Sequence, residues 1–571
     1  MFQAGWGKER IAIEARGYAM HGFGQPHHRA HGIETPLWAR ALCLQDDAGQ
    51  LVVFCCLDLG YVTWAMRSAL TASLREAIGD SFADERFVLT CTHTHSGPGG
   101  CSHDAMYNLV TPGFQPAHLA AVISAAEAAI AAAWQRLAPT DISIGSATFE
   151  EKVPVAWNRS LDAWNRNPDV AKFIAGENHR ALDRRMQVLR FAREGKTQAL
   201  LSLFGVHATC VSSHLDKHDG DNKGYAASAA EAVLAAAGAE APVAIFAQST
   251  AGDVSPHYHG PSDLAIRRHI QGNDEYAYAK TNGEYQSSLA LAATTGSPLG
   301  GSLDGILTYV DFSNVTADPA WTGGVENART GDPCHGVAFV AGTPVDGPGV
   351  AAPLAAILRQ GSRLLRRWRM SRFSGLSAND RAYYQALYEA HGEKDIVFEA
   401  GRKLALGRPF KSLGAASVVD PLLAELHRQA KVGALNKSAM VPTVLPLQII
   451  RIGTVALVCC PGEFTTTAGR RLLKSVEENL QGQGYAQVLI CTYCNEYMGY
   501  VTTREEYQQQ AYEGGHTIFG QWTLAAFQTQ FAELAREFCQ PAHARQHNQT
   551  LRPAPAPADE LAKRSRQRPN C

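Results

Sequence analysis

Phe87 to Gly100 reads FVLTCTHTHSGPGG, an apolar run of β-formers that stops in two histidines and a Gly/Pro cluster. In an extended strand, side chains alternate between faces, so His93 and His95 are expected to point the same way. The glycines and Pro98 end the strand and let the backbone turn closely past whatever the imidazoles face. Two same-face histidines at a strand mouth suit a metal, because neutral imidazole is a good zinc ligand. They equally suit a pair that only hydrogen-bonds at a strand end. A zinc site needs about three or four ligands, so the choice depends on what else the chain supplies.

The same punctuation recurs. Leu51 to Leu57 is a continuous apolar run ending in Asp58. Leu200 to Val206 runs into His207, and Val243 to Ala247 exits through Ala251-Gly252-Asp253-Val254-Ser255-Pro256. Val455 to Cys460 exits through Pro461-Gly462-Glu463, and Val488 to Thr492 leads on to Gly499-Tyr500. Val153 to Ser160, Met186 to Phe191, Ile306 to Val315 and Leu447 to Ile452 also read as strands. Between them lie Ala-rich or amphipathic stretches predicted as helices, near 64–77, 116–137, 225–237 and 516–539. This alternation predicts an α/β fold: a large layered domain of mixed β-sheets flanked by helices, with a metal site at strand ends. The domain is expected to span 1–540, with a mostly helical insertion around 352–440. The Pro/Ala/Arg-rich segment 541–571 is expected to be a disordered tail.

Composition narrows the function classes. The 571 residues are 46% hydrophobic with a formal net charge of −2, which gives no electrostatic case for nucleic acid. The arginines between Arg363 and Arg372 read as a solvated face. No segment approaches ~18 uninterrupted apolar residues, so no transmembrane segment is expected. Transient contact with a membrane surface stays open. The N-terminus has no apolar run of signal-peptide length. With 13 cysteines, many inside apolar runs, the chain reads as reduced and cytoplasmic. Cys491-x-x-Cys494 admits a redox or zinc reading, and also that of two buried core thiols.

Strand ends assemble in space though they are distant in sequence, so His93, His95, His207, Asp253, Ser255, Glu463 and Tyr500 are candidates for one site. Two histidines and a glutamate form a familiar catalytic zinc set that leaves a position for water. Residue types alone do not select Tyr500, and Ser255 alone would pass for a turn serine.

The chain also resembles a known family, the neutral (non-lysosomal) ceramidases. The matching stretches are THTHSGPGG at 92–100, FGVHATC at 204–210, GDNKGYA at 220–226, AGDVSP at 251–256, YVDFSNV at 309–315 and AGTPVDGPG at 341–349. PGEFTTTAGRRL at 461–472 and GYVTTREEYQQQAYEGGHTIFGQWTL at 499–524 complete the series. The resemblance implies one zinc ion held by His93, His207, Glu463 and Tyr500. It implies a required serine at Ser255, and polar residues lining the reaction centre at His95, Arg159 and Tyr512. It implies hydrolysis of the N-acyl amide of ceramide to a sphingoid base and a fatty acid. The alternative is a cytoplasmic zinc amidase acting on a different N-acyl amine or lipid amide. Two mechanisms stay open, a zinc-activated water and an acyl-serine route. Three features depart from the family pattern: no export signal, no expected C-terminal immunoglobulin-like domain, and His257 after Ser255-Pro256 where an asparagine is usual.

Overall fold

Three sheets follow one another along the chain, and each is built around one parallel strand pair joined by a helical crossover. A computed structural model describes residues 2–565, apart from 110, 112, 258–269, 344 and 415–420. The first sheet comprises β1 (Gln3–Arg10), β2 (Trp38–Gln45), β3 (Leu51–Leu57) and β4 (Phe87–Cys91), ordered β4-β3-β2-β1, with Ala138–Pro139 at its edge. Helix α1 (Trp64–Ile78) carries the chain from β3 to its parallel neighbour β4. Helix α2 (Pro116–Gln135) lies on β1 and β2 so closely that a Cβ at Gly5 would stand 2.1 Å from the Ala133 carbonyl oxygen. By length and composition α2 could cross a membrane. Its Val122, Ala126, Ala129, Ile130 and Ala133 are instead spent on the protein core.

The second sheet, ordered β8-β7-β6-β5, comprises β5 (Asp141–Thr148), β6 (Arg185–Arg193), β7 (Lys196–Leu203) and β8 (Val243–Ala247). Helix α3 (Asp221–Ala236) joins the parallel pair β7/β8, and α4 (Asp274–Ala292) packs on α3. The third sheet opens with β9 (Leu303–Asp311). The chain then makes an excursion through α5 (Ala352–Met370), α6 (Ala378–His391) and α7 (Pro421–Lys431). It returns as β10 (Val444–Ile452), β11 (Val455–Cys459), crossover helix α8 (Thr466–Leu480) and β12 (Gln487–Cys491), and α9 (Thr523–Phe538) covers α8.

All seven residues of β3 are buried because both faces of the sheet are covered. Val52, Phe54 and Cys56 enter a central cluster shared by all three sheets, with Leu203 and Ile245 from the second and Leu457 and Leu489 from the third. Val53, Cys55 and Leu57 face the helix-covered cluster on the other side. The period of two read from the sequence thus sorts residues into two cores.

Several expectations need correction. Of Val153 to Ser160, only Trp157–Asn158 pairs as strand. The closing helix expected from 516 starts only at Thr523 as α9, and a separate short helix, Tyr512–His516, precedes it across the Gly520 turn at φ 98°. Among its described residues the 352–440 insertion holds three α-helices, but Ile396–Glu399, Leu404–Ala405 and Arg408–Pro409 also build a four-stranded sheet with Cys334–Gly336. The β-branched run Ile396-Val397 is the signal for it.

The tail is also ordered through residue 565. A helix at Ala558–Arg564 docks there, and the Glu560 carboxylate accepts the Lys437 and Ser438 amides at 2.8 Å each. Arg564 is buried, donating to Ser438 Oγ at 3.3 Å. Composition registers how little apolar surface a segment owns, but not that the folded body presents backbone donors to it. Residues 566–571 lie outside the described residues.

No disulfide forms among the described residues. Burial pushes the Cys491 and Cys494 thiols well above the usual range, and Cys494 Sγ donates to the Cys491 carbonyl at 3.3 Å. The C-x-x-C pair is therefore core, not redox machinery.

Candidate active site

The parallel pairs β3/β4, β7/β8 and β11/β12 each lead the chain out of their C-terminal ends into one polar centre. Gly60 and His93 follow the first pair, His207 and Ser255 the second, and Glu463 and Tyr500 the third. Backbone pairing joins these exits. Thr94 bridges Ala208, Trp157 pairs with Ser255, and Glu463 lies directly opposite Tyr500 in a short parallel pair. Gly252 donates its amide to the Phe464 carbonyl at 2.9 Å, tying the second exit to the third.

Strand β4 ends at Cys91, and His93 sits in the left-handed region at φ 64°. The shared direction of His93 and His95 therefore does not come from strand alternation. It comes from a turn that brings His95 Nε2 to 3.2 Å from His93 Nε2. Gly22 makes room for this, since a Cβ there would meet the His95 ring at 2.3 Å.

The ring nitrogens facing away from the centre fix the tautomers. His93 Nδ1 lies 2.6 Å from the Gly60 carbonyl oxygen and His207 Nδ1 lies 2.7 Å from that of Ala251. A carbonyl only accepts, so both Nδ1 atoms carry the proton and both Nε2 lone pairs point inward. There they meet Glu463, at 3.4 Å from His93 Nε2 to Oε1 and 3.0 Å from His207 Nε2 to Oε2. Tyr500 Oη stands 3.2 Å from His207 Nε2. Ligand atoms of His93, His95 and His207 all fall within 4.8 Å of one another.

Acceptor lone pairs converging on one buried point repel one another unless a cation lies between them, so the donor set fits a metal. Burial alone would raise the Glu463 carboxyl; His93 and then His207 outweigh it and hold it well below the usual range. Burial, then Arg159, lowers His207, and burial, then His93, takes His95 well below an ordinary histidine. The centre thus combines a carboxylate with the neutral imidazoles of His95 and His207, the protonation state that binds metal.

Sequence reasoning missed three residues here. Tyr493 and Tyr497 donate to Glu463 Oε2 at 3.1 Å and Oε1 at 2.5 Å. They occur in the β12 exit, CTYCNEYMGY, and nothing in their spacing reveals that they aim back at Glu463. Asp346 lies in AGTPVDGPG and accepts Ser255 Oγ–H at 2.7 Å and Arg159 Nη1–H at 2.8 Å. Burial alone would raise the Asp346 carboxyl, but Arg159 and then His257 hold it far below the usual range.

The resemblance places Arg159, with His95 and Tyr512, among the polar residues lining the reaction centre. Its guanidinium is instead committed to Asp346, Glu513, the Gly252 carbonyl and Tyr500 Oη, at 2.8, 2.8, 2.8 and 3.0 Å. It clamps the Ser255 turn to Tyr500 rather than waiting for substrate. Tyr512 is half-buried with its ring edge-on to Tyr500 at 5.4 Å, and burial, then Glu463, keeps its phenol protonated. Ser255 is fully buried, and its oxygen accepts the His257 amide at 3.1 Å.

Comparison with known proteins identifies the family of the chain. The family described as neutral/alkaline non-lysosomal ceramidase, N-terminal, matches residues 2–412 and 426–529. A neutral ceramidase of Pseudomonas aeruginosa is 31% identical over 543 residues, covering 94% of this chain and 72% of its own length. One from Mycobacterium tuberculosis is 31% identical over 544 residues, covering 94% and 77%. A solved ceramidase complexed with C2 superposes with a TM-score of 0.76 at 30% identity, covering 94% of this chain and 75% of that one. The crystal structure of the Pseudomonas aeruginosa neutral ceramidase gives 0.74 at 30% identity, covering 94% and 74%.

Proposed function

The chain belongs to the neutral/alkaline non-lysosomal ceramidase family, and from that membership and its site we propose that it hydrolyses the N-acyl amide of ceramide with one zinc ion held by His93, His207, Glu463 and Tyr500. The observation that carries the reading is the inward aim of the His93 and His207 Nε2 lone pairs, one beside each oxygen of Glu463. When bound, zinc supplies a Lewis acid and lowers the pKa of water toward about 7.

The protein's own groups do the rest. Tyr493 and Tyr497 hold Glu463 in its orientation, as outer hydrogen bonds do for ligating carboxylates. Tyr512, protonated and beside Tyr500, is the donor for the oxyanion that develops on the amide carbonyl. His95 faces the same centre and hydrogen-bonds the reacting group. Arg159 keeps Tyr500 and the Ser255 turn in register.

Ser255 acts by position. An acyl-serine route needs a base for its proton, and the Ser255 hydroxyl donates to Asp346, whose depressed pKa makes it a weak base. The products are a fatty acid and a sphingoid base, with water consumed.

Purified protein assayed for bound metal and for fatty-acid release from ceramide tests the reading. About one zinc per chain with chelator-sensitive release is expected. Full activity in strong chelator would mean a metal-free serine hydrolase. A metal-loaded protein inert on ceramides but active on another N-acyl amine would move the substrate.

A further inference from the structure

Helix α5 breaks the usual rule for a surface helix. Among the described residues, eleven large hydrophobic side chains are exposed, and six of them lie between Leu354 and Phe373: Leu354, Ile357, Leu364, Trp368, Met370 and Phe373. Ile357 is 68% exposed and Phe373 77%. The helix needs none of them for packing, since its buried edge is Ala355, Ser362 and Arg369, with Arg369 paired to Glu399 at 2.7 Å. At about 100° per residue, Leu354, Ile357, Leu364 and Trp368 fall in one stripe roughly 80° wide, turned away from that edge.

The charge on this element is one-sided. Residues 352–373 contain six arginines and no aspartate or glutamate, in a chain whose formal net charge is only −2. By the same angles Arg367 borders the apolar stripe and Arg359 lies on the opposite side of the helix, while Arg372 stands beside Phe373. None of these three makes an ion pair among the described residues, while Arg363 keeps a 58% exposed side chain despite pairing with Asp395. Exposed Leu, Ile and Trp on one side of a helix, arginines on the other, and Phe373 beside Arg372 at its end are the composition of a helix lying in a membrane interface. A nucleic-acid partner would use the arginines and leave the aliphatic residues unexplained. Read from charge alone, this stretch is a solvated face; the exposed apolar stripe is what that reading does not account for.

Position gives the face a purpose. The chain enters α5 six residues after Asp346, whose carboxylate holds Ser255 and Arg159. Just before that turn, the Phe339 ring stacks on Tyr512 at 5.9 Å. On the turn's other side, Gly347 abuts Phe23, whose ring stands edge-on to His95 at 4.6 Å. Helix α5 is thus the outward continuation of the site wall.

We propose that the outer face of α5, with the turn to Phe373, is the surface on which this protein docks to an anionic lipid bilayer. The apolar stripe enters the acyl boundary, and Arg367 and Arg372 sit among anionic headgroups. The purpose assigned to docking, drawing a bilayer lipid into the site, rests on the ceramide reading; the docking itself does not.

The test is flotation of the full-length protein with ceramide-free vesicles. One set is phosphatidylcholine alone and the other contains phosphatidylglycerol. Wild type is expected to bind the anionic vesicles at least about tenfold better, with the preference lost at high salt. Two variants, Leu364→Glu/Trp368→Glu and Arg367→Glu/Arg372→Glu, are each expected to lose about tenfold or more of that binding. Both should retain wild-type turnover of a dispersed short-chain ceramide. The proposal is overturned by wild type failing to float, by both variants binding as wild type does, or by light scattering showing a dimer that the Leu364→Glu/Trp368→Glu variant dissociates. Normal flotation by a protein inert on ceramide would sink the functional reading and leave the docking surface standing.

Discussion

Replacing Asp346 by asparagine keeps the shape of the side chain and removes its charge. In the native protein the carboxylate accepts from Arg159 Nη1 at 2.8 Å, Ser255 Oγ at 2.7 Å and Thr209 Oγ1 at 3.1 Å, with only 6% of the side chain exposed. Removing one partner of a buried ion pair costs about 3–5 kcal/mol, because the other charge stays buried. Arg159 keeps Glu513 at 2.8 Å, so the lower end, about 3 kcal/mol, is expected for Asp346→Asn. If that loss is felt in the transition state, kcat falls on the order of 100-fold, at about 1.4 kcal/mol per decade.

Urea unfolding and steady-state hydrolysis of a short-chain ceramide measure the two effects separately. Ser255→Ala, combined with Asp346→Asn in a double-mutant cycle, should show a coupling of about 0.5–3 kcal/mol in kcat. A variant within twofold of wild type in kcat, whatever its stability, would reduce Asp346 to a strut of the fold. Additive effects in the cycle would break the claimed link between Asp346 and Ser255.

Four further outcomes follow from the same geometry. His93→Ala and His207→Ala should lose bound metal by elemental analysis, whereas His95→Ala should retain it with slower turnover; equal metal loss would make His95 a ligand. Tyr497→Phe removes the 2.5 Å bond to Glu463 Oε1 and should weaken metal affinity about 10–100-fold in a chelator competition. Burial, then Asp253, raises the Glu506 carboxyl from 4.5 to about 7, so the folded state binds the proton more tightly than the unfolded state. Stability should therefore fall as pH rises across that window, and Glu506→Gln, which preserves the capping box with Thr503, should flatten the slope in pH-dependent unfolding. Glu560→Ala strips the Lys437 and Ser438 amides of their acceptor and should cost about 1–3 kcal/mol in urea unfolding; no change would mean that the tail is not docked in solution.

The sequence by itself determined the strands, their exits and the chemistry stationed there. Apolar runs that break in Gly, Pro, His or Asp are local signals, and burial on both faces of β3 is written in LVVFCCL. His93, His207, Glu463 and Tyr500 were legible because each sits at such an exit and matches a motif of the resembled family. Only the tertiary structure decided how those exits meet. The left-handed turn at His93, the pairing of Glu463 with Tyr500, and the carbonyls that fix both imidazole tautomers are contacts between segments far apart in the chain. Asp346, Tyr493 and Tyr497 remained invisible for the same reason. Their partners lie 91, 30 and 34 residues away, and no local pattern records where a side chain lands after three sheets have packed. The tail at Glu560 shows the converse. Composition gave it a plausible reading, and burial, a property of the folded surface alone, reversed it.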